Sequence, residues 1–196
     1  MVFLRIDYWY RRHSEWNLQG LGKRLHVNSM ENLAEKSVQH YNVLMEGDIA
    51  MRIWSWQLLP FLPEAQFKGQ LRELVAIIRD IQDKGKTNHL LINRVMDYPR
   101  YHLLRYYSLY SYEYKRRYGK EIGYRITRQF IDFIHDYEYK YVEAPFPGWH
   151  NERYLRICMA NLYEKFLGVG KSKVTDDEWK RLCNGYKLIT GNEYVL

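Results

Sequence analysis

Residues 51–76 read MRIWSWQLLPFLPEAQFKGQLRELVA, and this stretch decides how the chain is organised. A Met opens it, followed by an aromatic segment with Trp54 and Trp56 and two prolines, Pro60 and Pro63. From Pro63 onward Phe67, Leu71, Leu74, Val75, Ile78 and Ile81 recur at spacings of three and four. That spacing predicts an amphipathic helix from Glu64 to about Asp83, opened by Pro63 and stopped before Gly85. Gln66, Gln70 and Glu73 fall together on one side of it, and Arg72 is rotated away from Glu73 by roughly 100°. The stretch looks like the start of a protein, although fifty residues precede it.

Those first fifty residues follow different rules. They show no sustained helical or strand period, and only Ser29–Glu46 carries a faint helical pattern, capped by Ser29 and stopped by Gly47. Residues 1–51 hold six basic and six acidic side chains. Of the 30 basic and 23 acidic residues in the chain, the other 24 and 17 lie beyond them, so the later part carries the whole net charge of +7. The chain thus divides into a weakly structured N-terminal extension, 1–50, and a single compact domain, 51–196.

Downstream of the first helix the expected order is almost entirely helical. A polar, basic loop, Lys84–His89, leads to a short helix over Leu90–Met96. A Tyr-rich helix runs from Pro99 to about Tyr118 and is ended by Gly119. A further helix is expected over Ile126–Tyr141, then the break APFPGWH, then a helix from Asn151 or Glu152 to Phe166. Thr175 followed by Asp176, Asp177 and Glu178 reads as an N-cap with an acidic first turn. It opens a last short helix that ends near Asn184–Gly185, with the tail after it extended. The fold class is therefore mainly α, three to five helices with an extended segment threading to the site.

Composition bounds the function. Hydrophobic content of 46% with 27% charged residues is that of a globular protein, and no apolar run approaches the ~20 residues of a membrane span. The N-terminus lacks the apolar core of a secretory signal, so a cytoplasmic protein is expected. Two cysteines, Cys158 and Cys183, are too few for a disulfide framework, and Cys158 lies in an apolar helical pattern that suits a buried thiol. There is no P-loop, GxGxxG, HExxH or CxxC pair, so neither a cofactor nor a metal is expected. A basic, aromatic-rich domain with 19 tyrosines points to a polyanion partner such as nucleic acid.

Met51-Arg52-Ile53-Trp54, the Leu-x-Pro-x-Leu-Pro run Leu58–Pro63 and the core Gly69-Gln70-Leu71-Arg72-Glu73-Leu74 together carry a resemblance. Asn88-His89 and the Tyr-rich helix add to it. In order and spacing they resemble the pyrimidine-dimer DNA glycosylases of the phage endonuclease V type and their bacterial relatives. His150–Phe166 looks like that family's third helix. The resemblance implies a DNA glycosylase and AP lyase in which the α-amine of the mature N-terminus attacks C1′ of the damaged nucleotide. A Schiff base forms, and β-elimination nicks the strand.

An α-amine suits this chemistry because its pKa is about 7.7–8.0, against about 10.4 for lysine. The matching residue is Met51. Glu73 corresponds to the family's catalytic glutamate, and Arg72 to the arginine that contacts phosphate or sugar at the lesion. Gln66 and Gln70 take the places of polar helix residues that touch DNA. Arg52, Arg79, Lys84, Lys86, His89, Arg105, Arg116 and Arg117 complete the expected contacts to double-stranded damaged DNA, with the protein a monomer.

Three positions depart from the family pattern. Gln66 stands where the viral enzyme has histidine, Ala76 where it has a phosphate-binding arginine, and Leu71 where bacterial relatives have histidine; Arg79, one turn on, is placed to replace the missing cation. The extension departs most, because a peptide bond on Met51 converts the amine into an unreactive amide. Translation from Met51, proteolytic removal, or a real extension on a DNA-binding protein that does not cut or uses a lysine are the three readings. Outside the resemblance, a helical interaction protein with a Tyr surface is the rival class.

Overall fold

Pro63 and Gly85 set the limits of the first helix. In the computed structural model, which describes residues 53–87, 89–134, 140–169 and 173–195, α1 spans Glu64–Lys84. Pro63 lies just outside it with φ −56° and ψ 152°, where its missing N–H costs nothing. Gly85 closes it in the left-handed region at φ 71° and returns its N–H to the Ile81 carbonyl at 3.0 Å. The apolar stripe Phe67, Leu74, Ile77, Ile78 and Ile81 is buried.

The elements that follow are α2 (Leu90–Asn93), a 3-10 turn (Arg94–Asp97), α3 (Tyr101–Tyr118), α4 (Tyr124–Ile134), α5 (Glu152–Phe166) and α6 (Asp176–Thr190). A second 3-10 turn, Trp56–Leu58, precedes α1. The described residues contain no strand, so the mainly α expectation holds, with five helices of more than one turn and the single turn α2. The expected short helix over Leu90–Met96 is divided between α2 and its 3-10 continuation. The helix expected over Ile126–Tyr141 opens two residues earlier, at Tyr124, and residues 135–139 of that span lie outside the described residues. The faint helix at Ser29–Glu46 lies outside them too.

The core forms where α1, α3 and α4 meet. Phe67 of α1 stacks on Tyr110 of α3 at 4.4 Å, and Tyr107 of α3 stacks on Phe130 of α4 at 3.8 Å. Tyr106, Tyr107 and Tyr110 are buried, so the tyrosine row of α3 is largely core. Hydroxyls carried into a core need partners. Tyr110 donates to the Phe67 carbonyl at 2.9 Å, and Tyr107 shares a 2.8 Å hydrogen bond with Thr127.

α5 and α6 pack on each other through Phe166 and Trp179, stacked at 5.4 Å. Asn151 caps α5 by accepting from Tyr154 N at 3.0 Å. Thr175 and Glu178 form a capping box at the start of α6. The same Glu178 carboxylate accepts from Glu64 N at 3.2 Å, so one side chain serves the starts of two helices.

The last helix corrects the sequence reading. It does not end near Gly185 but continues to Thr190 and stops at Gly191, which has φ 77° and donates to Lys187 O at 2.8 Å. Residues 186–190 are therefore helical, not extended. Gly185 is glycine for a packing reason: a Cβ there would lie 2.4 Å from Cγ of Phe61. The helix passes so close to that ring that no side chain fits between them.

Candidate active site

Ile53, Trp54 and Ser55 have no regular secondary structure and are 0%, 4% and 0% exposed. Buried backbone without a helix or ladder leaves every N–H and C=O in need of another partner. Side chains from three helices and one turn supply them. The Ile53 carbonyl accepts from the hydroxyl of Tyr154. Trp54 N–H donates to Gln70 Oε1 at 2.9 Å, and its carbonyl accepts from Tyr106 OH at 2.9 Å. Tyr106 OH also lies 3.0 Å from Gln70 Oε1. Ser55 N–H donates to Cys158 Sγ at 3.3 Å, and Trp56 N–H to His150 Nδ1 at 3.3 Å.

These anchors are held uncharged. Burial, then the negative charges that Tyr154, Cys158 and Glu73 would carry, push the Tyr106 hydroxyl well above its ordinary pKa, so it stays a donor. Burial, and next the positive charge of Arg94, push His150 down to about 3. Its imidazole is neutral at any ordinary pH, with Nδ1 as acceptor and the proton on Nε2. Cys158 is a buried thiol, as its helical pattern implied, but it also takes a backbone hydrogen bond.

Glu73 lies three residues beyond Gln70 on α1, roughly 4.5 Å along the axis and on the same side. It is partly buried. Its charge acts on Tyr106, the hydroxyl that holds Trp54. Thus α1 brings the anchor of the buried segment and the candidate catalytic carboxylate onto one face. Arg72 and Arg79 are both exposed and, seven residues apart, line up along another side of α1 with the partly buried Ala76 between them.

The other expected contact residues separate into two groups. Lys84 and Lys86 are exposed, Lys84 in an ion pair with Asp80 at 3.1 Å. His89 is half-buried and precedes α2 without capping it through its side chain. Arg116 is half-exposed, and its Nε and Nη2 contact both Glu113 oxygens, at 2.7 and 2.8 Å.

Gln66, Gln70, Arg105 and Arg117, expected as surface contacts, are instead turned inward. Gln66 and Gln70 are buried, and Gln70 holds the segment. Arg105 donates to Glu143 O at 3.2 Å. Arg117 donates to Glu113 at 2.6 Å, to Leu62 O at 2.9 Å and to Leu59 O at 2.8 Å, with its guanidinium 4.0 Å over the Phe67 ring. A guanidinium bound to its own backbone has its donors directed into the protein. Met51 and Arg52 lie outside the described residues. Among those described there is no cluster of His, Cys, Asp or Glu that could hold a metal ion, and no helix long and apolar enough to cross a membrane.

Residues 51–132 match the family model described as pyrimidine dimer DNA glycosylase. Over these residues the chain is similar to that family. The match begins at Met51, opens with the buried segment and takes in α1, α2, α3 and most of α4. The family's activity is that of a DNA glycosylase on pyrimidine dimers, and its partner is therefore damaged DNA. No curated protein and no solved structure gives a significant match to the chain.

The sequence reading missed Tyr106, Tyr154, His150 and Cys158 as anchors. A signal was present: Tyr106, Tyr154 and Cys158 are each a polar or polarisable residue on an otherwise apolar helical face, and His150 lies just before α5, all opposite a segment whose backbone had no other way to be satisfied.

Proposed function

We propose that residues 51–196 are a DNA glycosylase and AP lyase acting on pyrimidine dimers through the α-amine of Met51. The observation that carries this is the pinned segment. Ile53, Trp54, Ser55 and Trp56 are fixed by side-chain hydrogen bonds beside Gln70, one turn of α1 before Glu73. Met51 is two residues before Ile53, within about 7 Å of it along the chain.

In this reading the neutral amine attacks C1′ of the damaged nucleotide, the C1′–N bond breaks, and the base leaves with its bonding electrons and takes up a proton. The attached nitrogen gives up a proton; the sugar ring oxygen then takes up a proton and leaves C1′ with the bonding electrons, and the adduct becomes an iminium. Glu73 stabilises that cation, takes the C2′ proton, and the 3′ phosphate leaves by β-elimination. Water then hydrolyses the imine and restores the amine. Arg72 binds phosphate or sugar at the lesion. Arg52, Arg79, Lys84, Lys86, His89 and Arg116 supply contacts to the duplex, with Arg79 in place of the cation absent at Ala76.

The amine must be free. All described residues lie in the compact unit Ile49–Leu196, and the family match starts at Met51, so both boundaries agree within a few residues. A chain that begins at Met51, by initiation or by cleavage, would cut DNA; the 196-residue chain, with Met51 in an amide, would bind without cutting. Borohydride trapping and strand cleavage on an abasic-site duplex, run on both chains, test this. Trapping and cleavage by the shorter chain alone are expected, with Glu73→Gln still trapping and losing cleavage. Equal trapping by both chains would assign the nucleophile to a lysine, and trapping by neither would end the enzyme reading.

A further inference from the structure

The eleven residues 84–94, KGKTNHLLINR, contain Lys84, Lys86, His89 and Arg94 and no acidic residue. At their centre α2 turns two leucines outward: Leu90 is 89% exposed and Leu91 45%, with Met96 at 43% nearby. The buried Ile92 and Val95 fix the short helix to the core.

A polar network ties Thr87, His89 and Asn93 together. Asn93 Oδ1 accepts from Thr87 N at 2.8 Å and from Thr87 Oγ1 at 2.9 Å, Asn93 Nδ2 donates to Thr87 O at 3.1 Å, and His89 N donates to Thr87 Oγ1 at 3.2 Å. Thr87 itself is buried. An isolated exposed leucine means little, but here two adjacent ones stand beside Lys86, His89 and Arg94.

We propose that Leu90 is a wedge that inserts at a base step of the bound duplex while Lys84, Lys86 and Arg94 take the flanking phosphates. The inference rests on the DNA-binding reading above. Charge selects the occupant: an apolar tip beside Lys86 and Arg94, with Lys84 paired to Asp80 at its base, fits a polyanion with an apolar interior, which is what a stacked duplex offers between its bases. Position agrees with it. Lys84 is eleven residues past Glu73 on α1, roughly 16 Å along the axis. That length is the rise of about five base pairs. With α1 lying along the duplex, the tip would open a base step about five base pairs from the lesion at Glu73.

The test uses the full 196-residue chain and 24-mer-scale duplexes, of roughly two helical turns, that carry a non-cleavable abasic analogue. Single 2-aminopurines are stepped outward from the analogue. The expected result is a fluorescence rise at one step near five base pairs from the analogue, abolished by Leu90→Ala and retained by Leu90→Met. Affinity in the Leu90→Ala variant should fall about tenfold with the salt dependence unchanged. If the wild type binds but no step brightens, or the rise survives Leu90→Ala, the wedge is wrong and the DNA-binding reading stands. If the wild type does not bind the duplex at all, both fall. If Leu90→Ala instead dissolves a dimer seen by sedimentation, the tip joins copies of this chain and the wedge is overturned.

Discussion

The two ends of the segment 53–62 are fixed by different chemistry. At the far end Leu59 and Leu62 are held by a charged group: Arg117 donates to both carbonyls and is itself held by Glu113, which is 3% exposed and also meets Arg116. At the near end Ile53, Trp54, Ser55 and Trp56 are held by two phenols, an amide, a thiol and a neutral imidazole. Charge is used where the segment needs only to be fastened. Neutral donors and acceptors are used where an amine and a carboxylate are proposed to meet, so no anchor there carries a charge that competes with Glu73. A cationic anchor beside Trp54 would lower the amine's basicity and compete for that carboxylate.

The charged end is the first place to break this contrast. Glu113→Ala leaves the largely buried Arg117 without its counter-ion, and the unfolding free energy should drop by about 3–5 kcal/mol in urea titration. Arg116, half-exposed, would recover part of its loss in solvent, so its own replacement by alanine should cost far less.

The neutral end is broken more gently by Tyr106→Phe. This removes one hydroxyl and leaves the Trp54 carbonyl short of its donor, at a cost of about 1–3 kcal/mol. In a chain beginning at Met51 the rate of borohydride trapping should fall although circular dichroism shows an unchanged helical fold. Normal trapping in this variant would mean that the anchor does not position the amine.

Acid sharpens the comparison through His150. Its pKa is lowered to about 3 in the fold against an unfolded value of 6.5, so above pH 6.5 both states are neutral and its contribution to stability is complete. As pH falls from 6.5 towards 3 the unfolded chain takes up a proton that the folded one refuses, and stability declines through that window. His150→Asn keeps an acceptor for Trp56 N–H and cannot titrate. Denaturant midpoints measured from pH 7 to pH 4 should lose part of their slope in this variant.

The smallest effects lie on the exposed row of α1. Arg72→Ala and Arg79→Ala should each reduce the slope of log affinity against log salt by about 0.9, with little change in stability. An unchanged slope at Arg79 would remove it as the replacement for the cation missing at Ala76.

The helices were legible wherever their limits are local. Pro63 and Gly85 around α1, Gly119 after α3, Asn151 before α5 and the Thr175–Glu178 box each act within a few residues, and each boundary falls within two residues of its expected place. What was not legible depends on residues far apart. The anchors of the segment come from 16 to 103 positions away. Gly185 resembles a helix stop until Phe61 is seen against it. Arg116 and Arg117 look alike in sequence, but a rotation of roughly 100° turns one outward and the other under the segment. Among the expected site residues, the placement of Glu73 beside Gln70 followed from helical spacing, whereas the inward fate of Gln70 and Arg105 required the tertiary fold.

The most direct test is to locate the bond. A chain beginning at Met51 is trapped with borohydride on abasic-site DNA, digested, and its adduct-bearing peptide sequenced by mass spectrometry. The reduced sugar is expected on the α-nitrogen of Met51 in the peptide that leads into Ile53. An adduct on a lysine side chain would contradict it, and the pinned segment would then be scaffolding without a part in the chemistry.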